Sequence, residues 1–343
     1  MRTVWLLAAA ASLSACVTIE EHRLFIDPII DPSDPVTDAR GETPADVTYA
    51  DLIEETGGEA GVFGGTLLAF GGHFSMDMSS DSASLHRYAP FEGTPLWRDA
   101  RRFALPSPAG AVSVVRLETT VDAPRAPLVV YCPGTASTID TTALMSAYKV
   151  GAYAGDLLLF DYPGYGQSAG TRSVASVEAA VDALAAHLDR PDSRPLVLWG
   201  YSLGGFACAE LAARTRPDAL ILDSPVRNAR EGVGFFVPDW LRPLARPLLR
   251  FDPALERFDV VRSLAGTDVP VLVIGAERDG VLPEAGARSL HEALRAAGHD
   301  AAYVLAEGEG HFGPRRTSPV IEVVNALLGA PRGTDPFVPR TPF

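Results

Sequence analysis

Cysteine and basic residues are scarce in this 343-residue chain, and each shortage excludes a class of protein. The three cysteines, Cys16, Cys132 and Cys208, are too few for a disulfide framework, and no Cys-x-x-Cys spacing indicates a metal site. Lysine and arginine together number 29 against 43 acidic residues, which gives a formal net charge of −14. Because nucleic acid is itself strongly negative, this charge argues against it as a general partner. We therefore predict no nucleic-acid partner and no metal.

The N-terminus lacks a hydrophobic run long enough to cross a bilayer. Its apolar segment, residues 4–13, is shorter than the about 20 residues that a spanning helix requires. Arg2 precedes this segment, and the small residues Ser14 and Ala15 follow it. A positive charge, a short apolar core and small residues before a cleavage point are typical of an export signal.

The four residues Leu13-Ser14-Ala15-Cys16 closely resemble the lipobox of bacterial lipoproteins. The resemblance implies that cleavage leaves Cys16 as the first residue, with lipid on its thiol and amine; several acyl chains anchor a protein stably. Val17 follows instead of aspartate, so the resemblance implies no inner-membrane retention signal. We predict a lipid-anchored protein of the cell envelope, in the outer membrane facing the periplasm if the host is Gram-negative. The alternative is an ordinary signal peptide with a chance cysteine.

Composition divides the chain into five segments. A stretch rich in aspartate and proline follows the signal, and it has little that could bury a core. Further along, strand-like and helix-like runs alternate, which predicts a mostly parallel sheet with helices on both faces. The segment before this alternation either packs on the domain or lies on the membrane. The predicted boundaries are a signal peptide at 1–15, a lipidated cysteine and tether at 16–48, an N-terminal extension at 49–100, the main domain at 101–329 and a Pro-rich tail at 330–343.

The pentapeptide Gly200-Tyr201-Ser202-Leu203-Gly204 follows an apolar run and precedes an Ala-rich stretch. This order predicts a strand, a sharp turn with Ser202 at its apex, and a helix. The two glycines have no Cβ atom, so the strand and the helix can approach closely, and the turn holds the serine in strained geometry. The N–H groups that begin the helix would favour developing negative charge beside Ser202.

Acidic and histidine side chains follow other predicted strands. In an open α/β sheet, catalytic groups gather beyond the carboxyl ends of the strands. Asp279 and His311 each come shortly after a β-rich run, so serine, acid and histidine occur in that order. Asp223 and Asp161 also follow strands. We favour Asp279 as the acid, with Asp223 as its rival or as a residue that holds a cap, and Asp161 as a brace for its own loop.

The chain resembles the α/β-hydrolase superfamily, in its serine-aminopeptidase-like branch, over about residues 101–329. The resemblance rests on the Gly-x-Ser-x-Gly turn, on a Gly-His pair after the last strand, and on the Asp-Tyr-x-Gly-Tyr-Gly-x-Ser stretch at 161–168. The family order of catalytic residues is matched by Ser202, Asp279 and His311. The resemblance implies an α/β-hydrolase fold with a helical cap inserted before the strand that bears the acid.

The same resemblance implies the role of each residue. The serine is the nucleophile, the histidine transfers its proton, and the acid fixes the tautomer of the histidine. The oxyanion hole would consist of the backbone N–H groups of Leu203 and Thr135. The family often has His-Gly where this chain has Pro133-Gly134, which puts the placement of the loop with Thr135 in question.

The remaining cysteines and histidines near this site are predicted to be structural. Cys132 and Cys208 flank the serine turn in sequence, and we predict that both are buried thiols. His187, His291 and His299 lie in or beside predicted helices, where surface positions are expected.

The predicted cap, at about 225–265, is rich in aromatic and aliphatic residues with arginines interleaved. Pro243 and Pro247 prevent one long regular helix there. The apolar content suits a lid over an acyl or lipid-like substrate, and it equally suits ordinary packing of the cap.

Together these features predict a serine hydrolase that cleaves carboxylic esters or thioesters through an acyl-enzyme and needs no cofactor. Its expected partners are a small-molecule or lipid-like acyl substrate and, through the lipid anchor, a membrane. A serine exopeptidase or amidase is the second interpretation, although no carboxylate cluster that would hold a substrate amine is evident in the cap. A non-catalytic envelope protein on the same fold is the third, because a fold alone does not prove a function.

Overall fold

The structure of the protein is a computed structural model that describes most of the predicted main domain and short parts of what precedes it. The described residues are 17–19, 21, 66–69, 72–75, 97–119, 127–135, 137–139, 149–150, 153, 156–188, 194–235, 249–313, 315 and 317–328. The predicted signal peptide, Cys16, most of the tether and the Pro-rich tail lie outside them. Among the residues that the structure describes, the helices do not combine the length and the hydrophobicity that a transmembrane span requires.

The strands of the described residues are numbered in chain order. They are β1 Val17–Ile19, β2 Thr66–Ala69, β3 Gly72–Ser75, β4 Trp97–Leu105, β5 Val112–Thr119, β6 Leu128–Cys132, β7 Asp156–Phe160, β8 Leu196–Tyr201, β9 Ala219–Asp223, β10 Leu249–Phe251, β11 Val271–Ala276 and β12 Ala301–Ala306. The helices are α1 Val174–Leu188, α2 Gly204–Thr215, α3 Ala229–Phe235, α4 Val260–Ser263, α5 Glu284–Ala296 and α6 Ser318–Leu327, with a 3₁₀ helix at Pro253–Arg257.

Eight of these strands form one sheet in the order β12-β11-β9-β8-β6-β7-β5-β4. Strand β5 is antiparallel to both of its neighbours, and all other neighbouring pairs in this sheet are parallel. The mostly parallel sheet that the alternation of strands and helices predicts is therefore confirmed. The carboxyl ends of parallel strands share one edge of a sheet, so the segments that follow β6, β8, β11 and β12 meet there.

Both faces of the central strands are buried. In β8, Leu198 belongs to one hydrophobic cluster, whereas Val197, Trp199 and Tyr201 belong to a second cluster on the opposite face. Because helices cover both faces, the strand has no polar side, and its sequence is a continuous apolar run.

The first described strand was not expected. Val17–Ile19, which the sequence analysis assigned to the tether, pairs in parallel with Leu249–Phe251 in the predicted cap. The Asp252 N–H donates to the carbonyl oxygen of Ile19 at 2.9 Å, and the Glu21 carboxylate accepts from the N–H of Val174 at the start of α1. The residues directly after Cys16 are thus attached to the folded domain.

The main sheet also begins earlier than predicted. Strand β4 starts at Trp97, four residues before the predicted boundary at 101, and pairs with β5. The predicted N-terminal extension otherwise contributes the antiparallel pair β2 and β3 to the described residues. In the predicted cap, α3, β10, the 3₁₀ helix and α4 are described, whereas its apolar centre at 236–248 lies outside the described residues.

The prediction that Cys132 and Cys208 are free thiols is wrong, because the two residues form a disulfide with a Cα–Cα distance of 5.8 Å. Gly204 and Cys208 lie one turn apart on the same face of α2. That face lies so close to the end of β6 that a Cβ on Gly204 would stand 2.0 Å from the Cys132 carbonyl oxygen. The close approach that the serine turn requires therefore also brings the two sulfur atoms together. The number of cysteines in the sequence does not indicate that Cys132 and Cys208 are bonded.

Candidate active site

Ser202 lies between the end of β8 and the start of α2, in a left-handed backbone conformation with a φ of 55°. Such a conformation is strained for a residue with a side chain. A Cβ on Gly200 would stand 2.6 Å from the carbonyl oxygen of Gly204, closer than real Cβ atoms approach such groups. The tight turn and its need for glycine at both positions agree with the prediction from the pentapeptide.

His311 and Asp279 form a buried pair. The Nδ1 atom of His311 lies 2.7 Å from Oδ2 of Asp279, while Oδ1 accepts hydrogen bonds from the N–H groups of Val281 and Leu282. Burial alone would raise the pKa of Asp279, but the interactions with His311 and with the Leu282 N–H outweigh it and hold the pKa below its usual value. An ionised carboxylate only accepts hydrogen bonds, so the imidazole donates through Nδ1–H, and in the neutral ring Nε2 is then the acceptor.

Tyr201 connects the histidine loop to the serine turn. Its hydroxyl donates to the backbone carbonyl of His311 at 3.2 Å, and the centroids of the two rings lie 5.0 Å apart. Because Tyr201 directly precedes Ser202, the loop that carries the imidazole lies against the turn that carries the serine. All three predicted catalytic side chains are buried in this region, with exposed fractions of 8% for Ser202, 9% for Asp279 and 4% for His311.

The two segments predicted to form the oxyanion hole both adjoin Ser202. A Cβ on Gly134 would lie 3.3 Å from the Cβ of Ser202, so the loop after β6 reaches the serine, and Thr135 follows in that loop. Leu203 directly precedes the first residue of α2. Its N–H therefore lies at the positive end of the helix dipole, where developing negative charge is favoured.

The loop at 161–168 holds the loop after β6 in place. The Tyr162 hydroxyl donates to the Pro133 carbonyl at 2.9 Å, and the Tyr165 hydroxyl lies 3.5 Å from Oγ1 of Thr135. Asp161 accepts hydrogen bonds from the N–H of Gln167 in its own loop and from the N–H of Ile139. The prediction that Asp161 braces its own loop is confirmed by these contacts.

Asp223, the rival acid, pairs with cations instead of with His311. Its Oδ1 accepts from Nε of Arg315 at 2.6 Å, and its Oδ2 accepts from Nζ of Lys149 at 3.0 Å. Burial would raise the pKa of the Asp223 carboxyl, but Arg315 and Lys149 outweigh burial and lower it. In the described part of the chain, Asp279 is therefore the carboxylate that orients the imidazole of His311.

Sequence analysis missed both cations of this cluster. Lys149 is the only lysine of the chain, one of 29 basic residues, yet it is fully buried. Burial lowers its pKa to about 8, against the opposing effect of Asp223. The isolation of one lysine in a chain that otherwise uses arginine is a signal that could have drawn attention to position 149. Arg315 lies only four residues after His311, and no comparable signal marks it.

Two other described histidines, His187 and His291, have partners outside the pair of His311 and Asp279. The ring of His187 contacts Phe103, and His291 Nε2 lies 3.2 Å from the Ala301 carbonyl oxygen. Across the described ranges, no group of three or more histidine, cysteine or acidic residues could hold a metal ion.

Comparison with known proteins gives two matching family models. The model described as "Serine aminopeptidase, S33" matches residues 123–257, and the model described as "TAP-like protein" matches residues 252–332. The alpha-beta hydrolase of Vibrio vulnificus has a similar fold, with a TM-score of 0.52, 19% identity, and coverage of 67% of this chain and 79% of that one. The chain has the α/β-hydrolase fold, as the sequence predicted.

Relatives with curated sequences share part of this domain. An uncharacterized protein of Mycobacterium tuberculosis is 34% identical over 192 residues, which cover 55% of this chain and 64% of that protein. The lysophosphatidylserine lipase ABHD12 of Danio rerio is 32% identical over 180 residues, covering 46% of this chain and 44% of the lipase. The chain thus spans less than two thirds of the length of these relatives. Together with the fold, these partial similarities support a place in the α/β-hydrolase superfamily.

Proposed function

We propose that the protein is a serine hydrolase that cleaves carboxylic esters or thioesters through an acyl-enzyme. The observation that carries this proposal is the hydrogen bond between His311 and Asp279, in a loop that lies against the strained turn with Ser202. This arrangement leaves Nε2 of the imidazole as a base on the side away from the carboxylate. A nucleophile, its base and the group that orients the base are the parts that acyl transfer requires.

Each step follows from these groups. Nε2 of His311 takes the hydroxyl proton of Ser202 as the oxygen attacks the acyl carbon, and the N–H groups of Leu203 and Thr135 stabilise the oxyanion. The imidazolium, stabilised by Asp279, returns the proton to the leaving alcohol or thiol, which leaves the acyl group on the serine. A water molecule then attacks by the same route and releases the acid.

The substrate class that we infer is a lipid-like acyl ester. Support comes from the similarity to a protein named as a lysophosphatidylserine lipase, and from the apolar composition of the predicted cap. In the described parts of the cap, apolar side chains pack inward: the ring of Phe258 stacks on Phe206 with centroids 4.6 Å apart. These two rings pack the described part of the cap against α2.

An amide substrate is the second candidate, because one matching family model is described as a serine aminopeptidase. Such an enzyme would hydrolyse aminoacyl amides, whereas the enzyme that we propose would prefer uncharged acyl esters. The two candidates share the catalytic residues and differ only in what the cap recognises.

Covalent labelling with a fluorophosphonate tests the proposal. We expect the wild-type protein to be labelled and the Ser202→Ala variant to remain unlabelled, because the reagent captures only an activated serine. A panel of p-nitrophenyl acyl esters and aminoacyl p-nitroanilides then separates the two substrate classes by kcat/KM. A folded wild-type protein that takes no label and hydrolyses neither class would favour the non-catalytic interpretation.

We further propose that the protein is exported and anchored by lipid on Cys16. The disulfide between Cys132 and Cys208 supports export, since such bonds persist mainly in oxidising compartments. In cell fractions, we expect the wild-type protein with the membranes and a Cys16→Ser variant in the soluble fraction. A variant that remains fully membrane-bound would contradict the anchor and leave the hydrolase proposal unaffected.

A further inference from the structure

Arg315 is a completely buried arginine beside the catalytic histidine. Its exposed fraction is 0%, and its backbone is left-handed with a φ of 57°. A charged side chain is almost never fully buried unless it is paired. A left-handed conformation at a non-glycine residue persists only when surrounding contacts hold it. The contacts of Arg315 therefore have to compensate its buried charge and hold its backbone conformation.

All five N–H donors of the Arg315 guanidinium have acceptors, at distances between 2.6 and 3.0 Å. The acceptors are the carboxylates of Asp223 and Glu309, the hydroxyl of Ser224, and the backbone carbonyls of Gly310 and His311. An ammonium group has only three donors and no planar fork, so lysine cannot reproduce this set.

These acceptors belong to two different parts of the site. Asp223 ends β9 and Ser224 follows it, and the Ser224 hydroxyl also hydrogen-bonds to the Asp279 carboxylate. Gly310 and His311 belong to the loop after β12. One rigid cation thus joins the histidine loop to the edge of the sheet and, through Ser224, to the catalytic acid.

The charges around Arg315 are balanced. Two cations, Arg315 and Lys149, face two carboxylates, Asp223 and Glu309, and the four side chains are almost completely shielded from water. Replacing a buried ion cluster with apolar residues is often neutral for stability, so stability alone gives little reason for such a cluster. The two hydrogen bonds to the carbonyls of Gly310 and His311 have a direct geometric consequence, because they fix the backbone that carries the imidazole.

We propose that Arg315 is a positioning residue that fixes the histidine loop so that Nε2 of His311 meets the hydroxyl of Ser202. This inference rests on the proposed serine hydrolase function. A displacement of about 1 Å in a reacting group can reduce the rate about 100-fold, so a small shift of this loop would suppress proton transfer. Substrate binding would change little, because Arg315 is buried and does not reach the surface of a pocket.

The Arg315→Lys variant tests this role, because it keeps the positive charge and removes two of the five donors. For p-nitrophenyl butyrate, we expect kcat to fall about 10- to 100-fold and KM to stay within about 3-fold of the wild-type value. The rate constant for fluorophosphonate labelling should fall in parallel, since it depends on the same proton transfer. A second variant, Glu309→Gln, removes the charge of one partner and should lower kcat in the same direction by a smaller factor.

A stability control separates positioning from general destabilisation. Leu294, in α5, is fully buried, and Leu294→Ala should clearly lower the midpoint of chemical denaturation, because it leaves a cavity, without altering the histidine loop. All variants are assayed at a temperature at which circular dichroism shows them to be folded. We expect Leu294→Ala to keep the wild-type kcat.

The outcomes distinguish the two proposals. If the wild-type protein is active and folded Arg315→Lys has an unchanged kcat, the positioning role alone is overturned. The same holds if Leu294→Ala loses as much kcat as Arg315→Lys. If Arg315→Lys does not fold, an unchanged kcat in Glu309→Gln would overturn it. A wild-type protein without labelling or turnover would overturn the hydrolase proposal, and the positioning role with it.

Discussion

The Asp279→Asn variant is expected to lose about 10,000-fold in kcat while it remains folded. The reason lies in how the carboxylate is held. Oδ1 accepts two backbone N–H groups, from Val281 and Leu282, so the oxygen of an asparagine would keep that position. Its NH₂ group would then face Nδ1 of His311 and donate to it. The imidazole would carry its proton on Nε2 and could no longer accept the proton of Ser202.

Steady-state kinetics with an acyl ester and the fluorophosphonate labelling rate measure this effect. The control is Asp218→Asn, an exposed aspartate that accepts the Leu196 N–H at 2.8 Å, a contact that an asparagine oxygen can also make. It should retain kcat within about 2-fold, as surface substitutions away from special features usually have small effects. If Asp279→Asn were fully active and Asp223→Asn were not, the acid would be Asp223.

Two adjacent glycines of α2 are expected to respond very differently to alanine. At Gly204, a Cβ would stand 2.0 Å from the carbonyl oxygen of Cys132 and 2.6 Å from that of Pro133. Both obstacles are backbone atoms, so either the helix or the loop after β6 must move. We expect Gly204→Ala to cost about 3 kcal/mol of unfolding free energy. Because the displaced loop also carries Thr135, activity should fall together with stability.

Gly205→Ala is the matched control. A Cβ at Gly205 would meet side-chain atoms of Pro225 and Leu222 at 3.5 and 3.6 Å, which is ordinary van der Waals contact. Alanine is preferred over glycine within a helix by about 1 kcal/mol, so this variant should be as stable as the wild type or slightly more stable. Chemical denaturation of the two variants measures the difference. Equal stability of the two would mean that α2 and β6 are further apart than the structure places them.

The sequence predicted the parts of the site that depend on local geometry. Gly-x-Ser-x-Gly between an apolar run and an Ala-rich stretch is sufficient to predict a strand, a turn and a helix. The two glycines have no Cβ atom, so they permit the close approach of the strand and the helix. Asp279 and His311 could be located because each follows a strand at the carboxyl edge of a parallel sheet. The sequence favoured Asp279 over Asp223 without excluding the rival, since Asp223 ends β9 and Asp279 shortly follows β11. Only the three-dimensional partners of each carboxylate separate the two.

The features that the sequence did not predict depend on contacts between distant segments. The bond between Cys132 and Cys208 joins residues separated by 76 positions, and only the packing of α2 on β6 brings them together. Val17–Ile19 lack any pattern that identifies Leu249–Phe251 as their partner, because three residues are too few for one. Arg315 resembles any surface arginine in the sequence, and its five acceptors come from two segments, the end of β9 and the loop after β12.

Because Lys149 is buried, its reaction with an amine reagent would report on the opening of the folded domain. The side chains of the chain offer a single primary amine, and in the folded state Asp223 and the ring of Tyr201 enclose it. An amine-reactive dye should therefore find no accessible lysine on the native molecule. Any signal beyond that of the α-amino terminus would record molecules in which the sheet has separated from the elements that cover it.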